Sequence, residues 1–166
     1  MIERSQSSSD PIDPLPSWSA LVTVYQSVLH DVVAALDEFA GMDSGVFSAL
    51  AYLERAQPHR MPMGELQVLM YPRYSQPGFS RLVQRMEADG LVQRRPDPDD
   101  RRASIVVLTR AGRTQFRSAN TVYIDALRVS FGRHLGDDEH RRLTAILTRI
   151  TERRDDPRGG TADQTS

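Results

Sequence analysis

Between residues 76 and 88 the chain reads QPGFSRLVQRMEA, and its residue types separate at helical spacing. Phe79, Leu82, Val83 and Met86 fall at i, i+3, i+4 and i+7 and form one apolar face. Pro77, Ser80, Arg81, Gln84 and Arg85 fall on the opposite side. A helix anchored by its apolar face and carrying donors on the other can reach base edges and phosphates in a DNA major groove. Gly78, near the helix start, would let the backbone approach a duplex closely. An ordinary amphipathic surface helix has the same pattern, so this segment alone does not decide between the two. The turn-rich stretch PDPDDRRA follows closely, with Asp97, Asp99 and Asp100 around Arg101 and Arg102. Arginines on a protruding ribbon can enter the minor groove, where the negative potential is strongest, and a neighbouring carboxylate can steady the guanidinium. A solvated charged turn is the plainer reading of such a run. The adjacency of groove-shaped helix and basic tip favours DNA contact.

The elements that must hold these residues follow from periodicity and punctuation. Residues 1–16 are rich in Ser, Asp and Pro and read as a tail, as do residues 155–166. Ser17 is the expected cap of a long helix to Ala40, apolar over an arc too broad for packing on one side only. A second helix starts at Asp43 or Ser44 and stops near Pro58. MGELQVLM after Pro62 forms a short third, and Ser75 caps the fourth, which Gly90 terminates. Leu91–Arg95 and Ser104–Leu108 read as two strands of a hairpin. Thr109 caps a fifth helix, again broadly apolar, and a sixth begins after Gly136 with Leu143, Ile146, Leu147 and Ile150 on one face. Two short helices and a tight turn followed by a β-hairpin make a winged helix-turn-helix. The expected architecture is therefore mainly α with a small β-hairpin wing. One domain spans 17–154, with helical arms at 17–40 and 110–154 around a winged lobe at 43–109.

Charge is distributed to match. The chain has a net charge of −1, yet residues 1–54 carry −7, residues 55–113 carry +5 and residues 114–166 carry +1. A basic middle between acidic or neutral arms is the footprint of a localised polyanion-binding face. All 21 basic residues are arginine, whose guanidinium suits bidentate contact with phosphate and guanine. The absence of cysteine excludes disulfide frameworks, Cys-ligated zinc and thiol-based sensing. The apolar runs look too short for a membrane span. Glu3 and Asp10 sit where a signal peptide would carry positive charge, so a cytoplasmic location is expected.

Residues 75–113, SQPGFSRLVQRMEADGLVQRRPDPDDRRASIVVLTRAGR, resemble the multiple-antibiotic-resistance regulator (MarR) family. Ser80-Arg81-Leu82-Val83, Glu87 to Val92, Arg94-Arg95, Asp100-Arg101-Arg102 and Leu108-Thr109 to Gly112 match its pattern in order and spacing. The resemblance extends over about residues 17–154. It implies an intertwined helical homodimer holding two winged lobes over a pseudo-palindromic operator in double-stranded DNA. It also implies that Ser75, Gln76, Pro77, Gly78, Ser80, Arg81, Gln84 and Arg85 face the major groove, and that Asp100 and Arg102 make the wing contact. Arg101 and Arg73 join the set on charge and position alone. Gln67 in place of a small residue, Pro62 in place of a Ser/Thr cap and the bulky turn MYPRY depart from the family pattern.

Relatives of this kind are commonly repressors released by a small aromatic or anionic effector between the helical arms and the DNA-binding lobe. Trp18, Tyr25, His30 and Tyr52 are candidates for lining such a site, although aromatics on buried helices more often serve packing. The four histidines are scattered, so no metal and no cofactor is expected. No phosphate-binding loop, His-Glu-x-x-His or Gly-x-Ser-x-Gly motif stands in the chain, which argues against an enzyme. A winged helix used only for protein contact is the remaining alternative, but it would not need Arg81, Arg85, Arg101 and Arg102 on one side.

Overall fold

The computed structural model describes residues 12–71, 73–98 and 103–155. Helix α1 (Leu15–Ala40) leads into α2 (Ser44–Arg55), then a short strand β1 (Arg60–Pro62), α3 (Met63–Met70) and α4 (Gln76–Ala88). Strands β2 (Val92–Pro96) and β3 (Ser104–Leu108) follow. Helix α5 (Arg110–Ser130), a 3-10 turn (Gly132–His134) and α6 (Asp137–Asp155) complete the order. The fold is mainly helical with one small antiparallel sheet, in the order β1-β3-β2.

Several helix ends follow the expected capping chemistry. Asp43 Oδ1 accepts from the backbone N–H groups of Gly45 and Val46, so Asp43 is the cap of α2. Ser75 caps α4 by accepting from Gly78 N, and Gly90 takes a left-handed φ of 72° just beyond its end. Ser17 is not the cap of α1. That helix starts at Leu15, whose N–H bonds Asp13 Oδ1, while Ser17 Oγ donates to the Pro14 carbonyl. Pro16 fits the first turn, where no intrahelical N–H is required. Helix α1 thus starts before residue 17.

The sheet also differs from the expected hairpin. Met61 pairs with Val106 on one edge of β3, while Arg94 pairs with Val106 on the other, making three strands rather than two. Strand β2 starts at Val92, one residue later than the pattern indicated, because Leu91 serves as a docking point. Its carbonyl accepts from Thr109 N at 3.1 Å, and Thr109 Oγ1 lies 2.7 Å from Gly90 O and 3.0 Å from Leu91 O. Thr109 Oγ1 also accepts from Gly112 N at 2.9 Å, capping α5. A Cβ on Gly112 would stand 2.1 Å from Leu91 O. Only glycine allows α5 to start this close to the chain that links α4 to the sheet.

A single apolar core joins helices α1 to α5 and the three strands. Leu36 of α1, Leu50 and Leu53 of α2, Leu66 of α3, four residues of α4 and Val106 of β3 all lie within it. Phe47 stacks on Tyr123 of α5 at 4.7 Å between ring centroids and meets Phe116 at 5.4 Å. On the same helix pair, Glu54 accepts from Arg113 Nε at 2.9 Å and Arg117 Nη2 at 3.3 Å. These contacts fix α2 against α5, so the winged lobe and the helical arm share one frame.

The arms leave much apolar surface uncovered in the single chain. Leu15, Trp18, Leu21, Val24 and Tyr25 of α1 are exposed, as are Ile146, Leu147 and Ile150 of α6. By length and composition α1 is long and apolar enough to cross a bilayer, contrary to the expectation from its apolar runs. Isolated Ser, Thr and Gln residues break those runs without lowering the average much. Its C-terminal half, however, packs into the protein core through Val32 and Leu36.

The junction at Leu91 generates a prediction. Gly112→Ala should destabilise the protein by about 1–3 kcal/mol, because a backbone carbonyl cannot yield as a flexible side chain would. Gly64→Ala, where nothing lies within 4 Å of the added carbon, should cost nothing measurable. Thermal denaturation of the two variants side by side checks both outcomes.

Candidate nucleic-acid interface

Helix α4 divides as its sequence demands. Phe79, Leu82, Val83 and Met86 are at most 4% exposed, sealed against the core. Ser75, Gln76, Pro77, Arg81, Gln84 and Arg85 are exposed, and Gly78 and Ser80 are half-buried. The structure therefore brings eight of the expected groove residues onto one ridge at the surface. Gly78 has a local task there as well, since its N–H completes the Ser75 cap.

Two cations, one on the ridge and one in the turn before it, have partners at the start of α2. Arg85 Nη2 lies 3.4 Å from Asp43 Oδ1, and Arg73, in the turn before α4, donates to Ser44 Oγ at 2.6 Å. Neither contact was visible in the sequence, because they join residues about 30 to 40 positions apart. The capping pattern could have pointed to Asp43 as a fixed anion, but not to its second partner.

The wing is tied to α4 by one clamp. Glu87 Oε2 accepts from Arg94 Nε at 2.7 Å, and Glu87 Oε1 accepts from the Arg94 backbone N–H at 3.0 Å. The Arg94 hydrogen bonds, first from its backbone N–H and then from its side chain, hold the Glu87 carboxyl below its ordinary range. Arg94 therefore serves as a brace rather than a free donor. Beyond it, Asp97 N donates to Ala103 O at 3.1 Å and closes the base of the tip. Asp100, Arg101 and Arg102 lie outside the described residues.

A separate cavity of about 440 Å³ opens between α1, α2, α5 and the end of α3. Tyr25 and Tyr52 line it together with Tyr123, Arg55 and Arg73. Trp18 and His30 do not. Trp18 stands exposed on the projecting part of α1, and His30 faces another concavity of about 250 Å³ with Asp37 and Asp43. Helical phase turns His30 about 140° away from Tyr25, whereas Trp18 shares the face of Tyr25 but stands about two turns, roughly 10 Å, further along the axis. Arg55 and Tyr123 were missed because only the packing of α5 across α2 places them together. Among the described residues no group of three or more His, Asp or Glu is placed to hold a metal ion.

Residues 40–103 match the model of the MarR family. The fold agrees along most of its length. AbsC, a MarR family transcriptional regulator from Streptomyces coelicolor, superposes with a TM-score of 0.71 at 24% identity, covering 87% of this chain and 97% of its own. Sco3205 from the same organism, solved in complex with DNA, gives 0.71 at 23% identity over 87% and 93%. Escherichia coli MarR in its apo form gives 0.68 at 20% identity over 85% and 98%. No curated protein matches the chain.

The matched segment comprises the cap of α2, the turn, the ridge of α4 and β2. The α5 arm and most of α1 lie outside it, yet they keep the same fold as the neighbours. The segment also contains both halves of the Glu87–Arg94 clamp. Because the Glu87 carboxyl titrates below its ordinary value, the clamp contributes fully above the ordinary carboxylate range and is lost as pH falls through the lowered folded value. The difference in thermal midpoint between the native protein and Glu87→Gln should therefore be largest near neutrality and shrink on acidification below about pH 4. A difference independent of pH would show that the clamp's charge does not matter.

Proposed function

We propose that this chain is a sequence-specific, double-stranded-DNA-binding transcriptional regulator that acts as a homodimer. The observation that carries this reading is the division of α4: an apolar face fully sealed in the core and a ridge of Gln76, Arg81, Gln84 and Arg85 left to solvent, beside a wing. The DNA-bound state of Sco3205, which has the same fold, supports it. In this reading arginines on phosphates supply most of the affinity, and Gln76, Arg81 and Gln84 discriminate bases. Asp100, Arg101 and Arg102, which lie between β2 and β3 in sequence and outside the described residues, are assigned to the minor groove by residue type and order alone.

The exposed apolar strips of α1 and α6 support dimerisation, since rows of large apolar side chains left in water on a single chain call for a partner. Joining two copies through α1, α5 and α6 would set two α4 ridges about 34 Å apart, one turn of a pseudo-palindromic operator. Repression by blocking access to that operator, in the cytoplasm, completes the proposal. The cavity beside Tyr25 and Tyr52 suits a small aromatic or anionic effector: aromatic walls meet the ring, and Arg55 and Arg73 meet the charge. Binding there would favour one spacing of the two lobes over another.

A fluorescence titration against duplex DNA at two salt concentrations tests the central claim. Affinity should fall steeply as salt rises, and Arg102→Ala should weaken binding to every duplex. Gln84→Ala should instead relax preference at one base pair, a good bidentate contact being worth about 1–3 kcal/mol. Salt-independent or absent binding would leave only the protein-contact reading of the winged lobe. Sedimentation equilibrium gives the dimer its own test, and a monomer at micromolar concentration would refute it.

A further inference from the structure

The first turn of α2 is built against the turn and ridge at three consecutive positions. Asp43 pairs with Arg85, Ser44 accepts from Arg73, and a Cβ on Gly45 would stand 1.8 Å from the Tyr74 hydroxyl oxygen. The Asp43 oxygen near Arg85 is the same Oδ1 that caps α2. That carboxylate is therefore fixed by two backbone N–H groups before it meets the guanidinium. It is a placed anion at the flank of a cationic ridge, where bare electrostatics for polyanion binding would put none.

We infer that Asp43 is a positioning residue for specificity: it holds the Arg85 guanidinium and withholds it from indiscriminate contact with phosphate. The inference rests on the DNA-binding reading above. Specificity is the ratio of operator affinity to affinity for other DNA, so a device that lowers the second raises the ratio. Arg81 has no comparable partner among the ion pairs of the described residues. Arg85, half-exposed and tethered, keeps one orientation along the ridge and engages where a base edge or phosphate meets it in that orientation.

Asp43→Asn separates the two tasks of the residue. Asparagine caps a helix about as well as aspartate, so α2 is retained while the charge on Arg85 is released. The probe is a random-sequence duplex, titrated with the full chain at about 50 and about 200 mM salt, where each phosphate contact changes the affinity ratio roughly threefold to fourfold. Asp43→Asn should raise that ratio by about one such contact and bind the duplex more tightly at low salt. In an Arg85→Ala background the same substitution should change nothing.

An equal increase in both backgrounds would mean that Asp43 merely repels DNA, and would overturn the inference. So would an unchanged salt dependence in Asp43→Asn. If the native chain binds no duplex at either salt concentration, the DNA-binding reading itself falls, an outcome distinct from both. A thermal midpoint for Asp43→Asn close to that of the native chain confirms that the cap survived.

Discussion

The structure turns on the docking of α5 onto the Leu91 carbonyl. Thr109 spends its hydroxyl twice there, accepting from Gly112 N within its own helix and donating to the carbonyls at the end of α4. Gly112 lets the two chains approach to a distance no other residue tolerates. The consequence reaches in both directions. Upstream, the contact fixes where α4 ends and β2 begins. Downstream, it fixes the axis on which the 21 residues of α5 leave the winged lobe. A shift of a fraction of an ångström at this junction, carried along α5, becomes a larger displacement at its far end.

Everything else that positions α4 works within this frame. The apolar face of α4 supplies the burial and contributes most of the free energy, whereas the polar contacts choose the orientation. Glu87 ties the helix to β2 through Arg94, and Asp43 ties it to α2 through Arg85. Exposed ion pairs of this kind are worth little as stability, typically about 0–1 kcal/mol each. Their value here is geometric. A ridge braced at one point to the wing and at another to α2 presents its remaining donors at a defined angle.

The cavity beside Tyr25 and Tyr52 has a related origin. Helix α1 crosses α5 and meets α2, while the turn after α3 closes one wall with Tyr71 and Arg73. Arg73 thus stands both beside the ridge and in the cavity wall, bonded to Ser44 in between. Structure and pocket share the side chain because the turn is where the helical arm and the winged lobe meet.

Much of this was legible in the sequence. The bounds of α3, α4 and β3 coincide with the segments read from periodicity, because local capping and apolar spacing agree there with the tertiary packing. The buried quartet Phe79, Leu82, Val83 and Met86 follows from helical phase alone, and phase likewise dictates which donors face away. Strand β1 was not legible. Its three residues, Arg-Met-Pro, have no strand signature and pair only because β3 offers them a free edge. Ser17 misled because an upstream Asp13 and Pro16 start the helix earlier, a competition between local signals that residue type cannot rank. Asp43 against Arg85, Glu54 against Arg113 and the wall shared by Tyr52 and Tyr123 were likewise beyond reach. Sequence determines what lies within a few turns of itself, through spacing and caps. Which cation meets which anion across the core depends on how whole helices cross, and only the tertiary structure decides that.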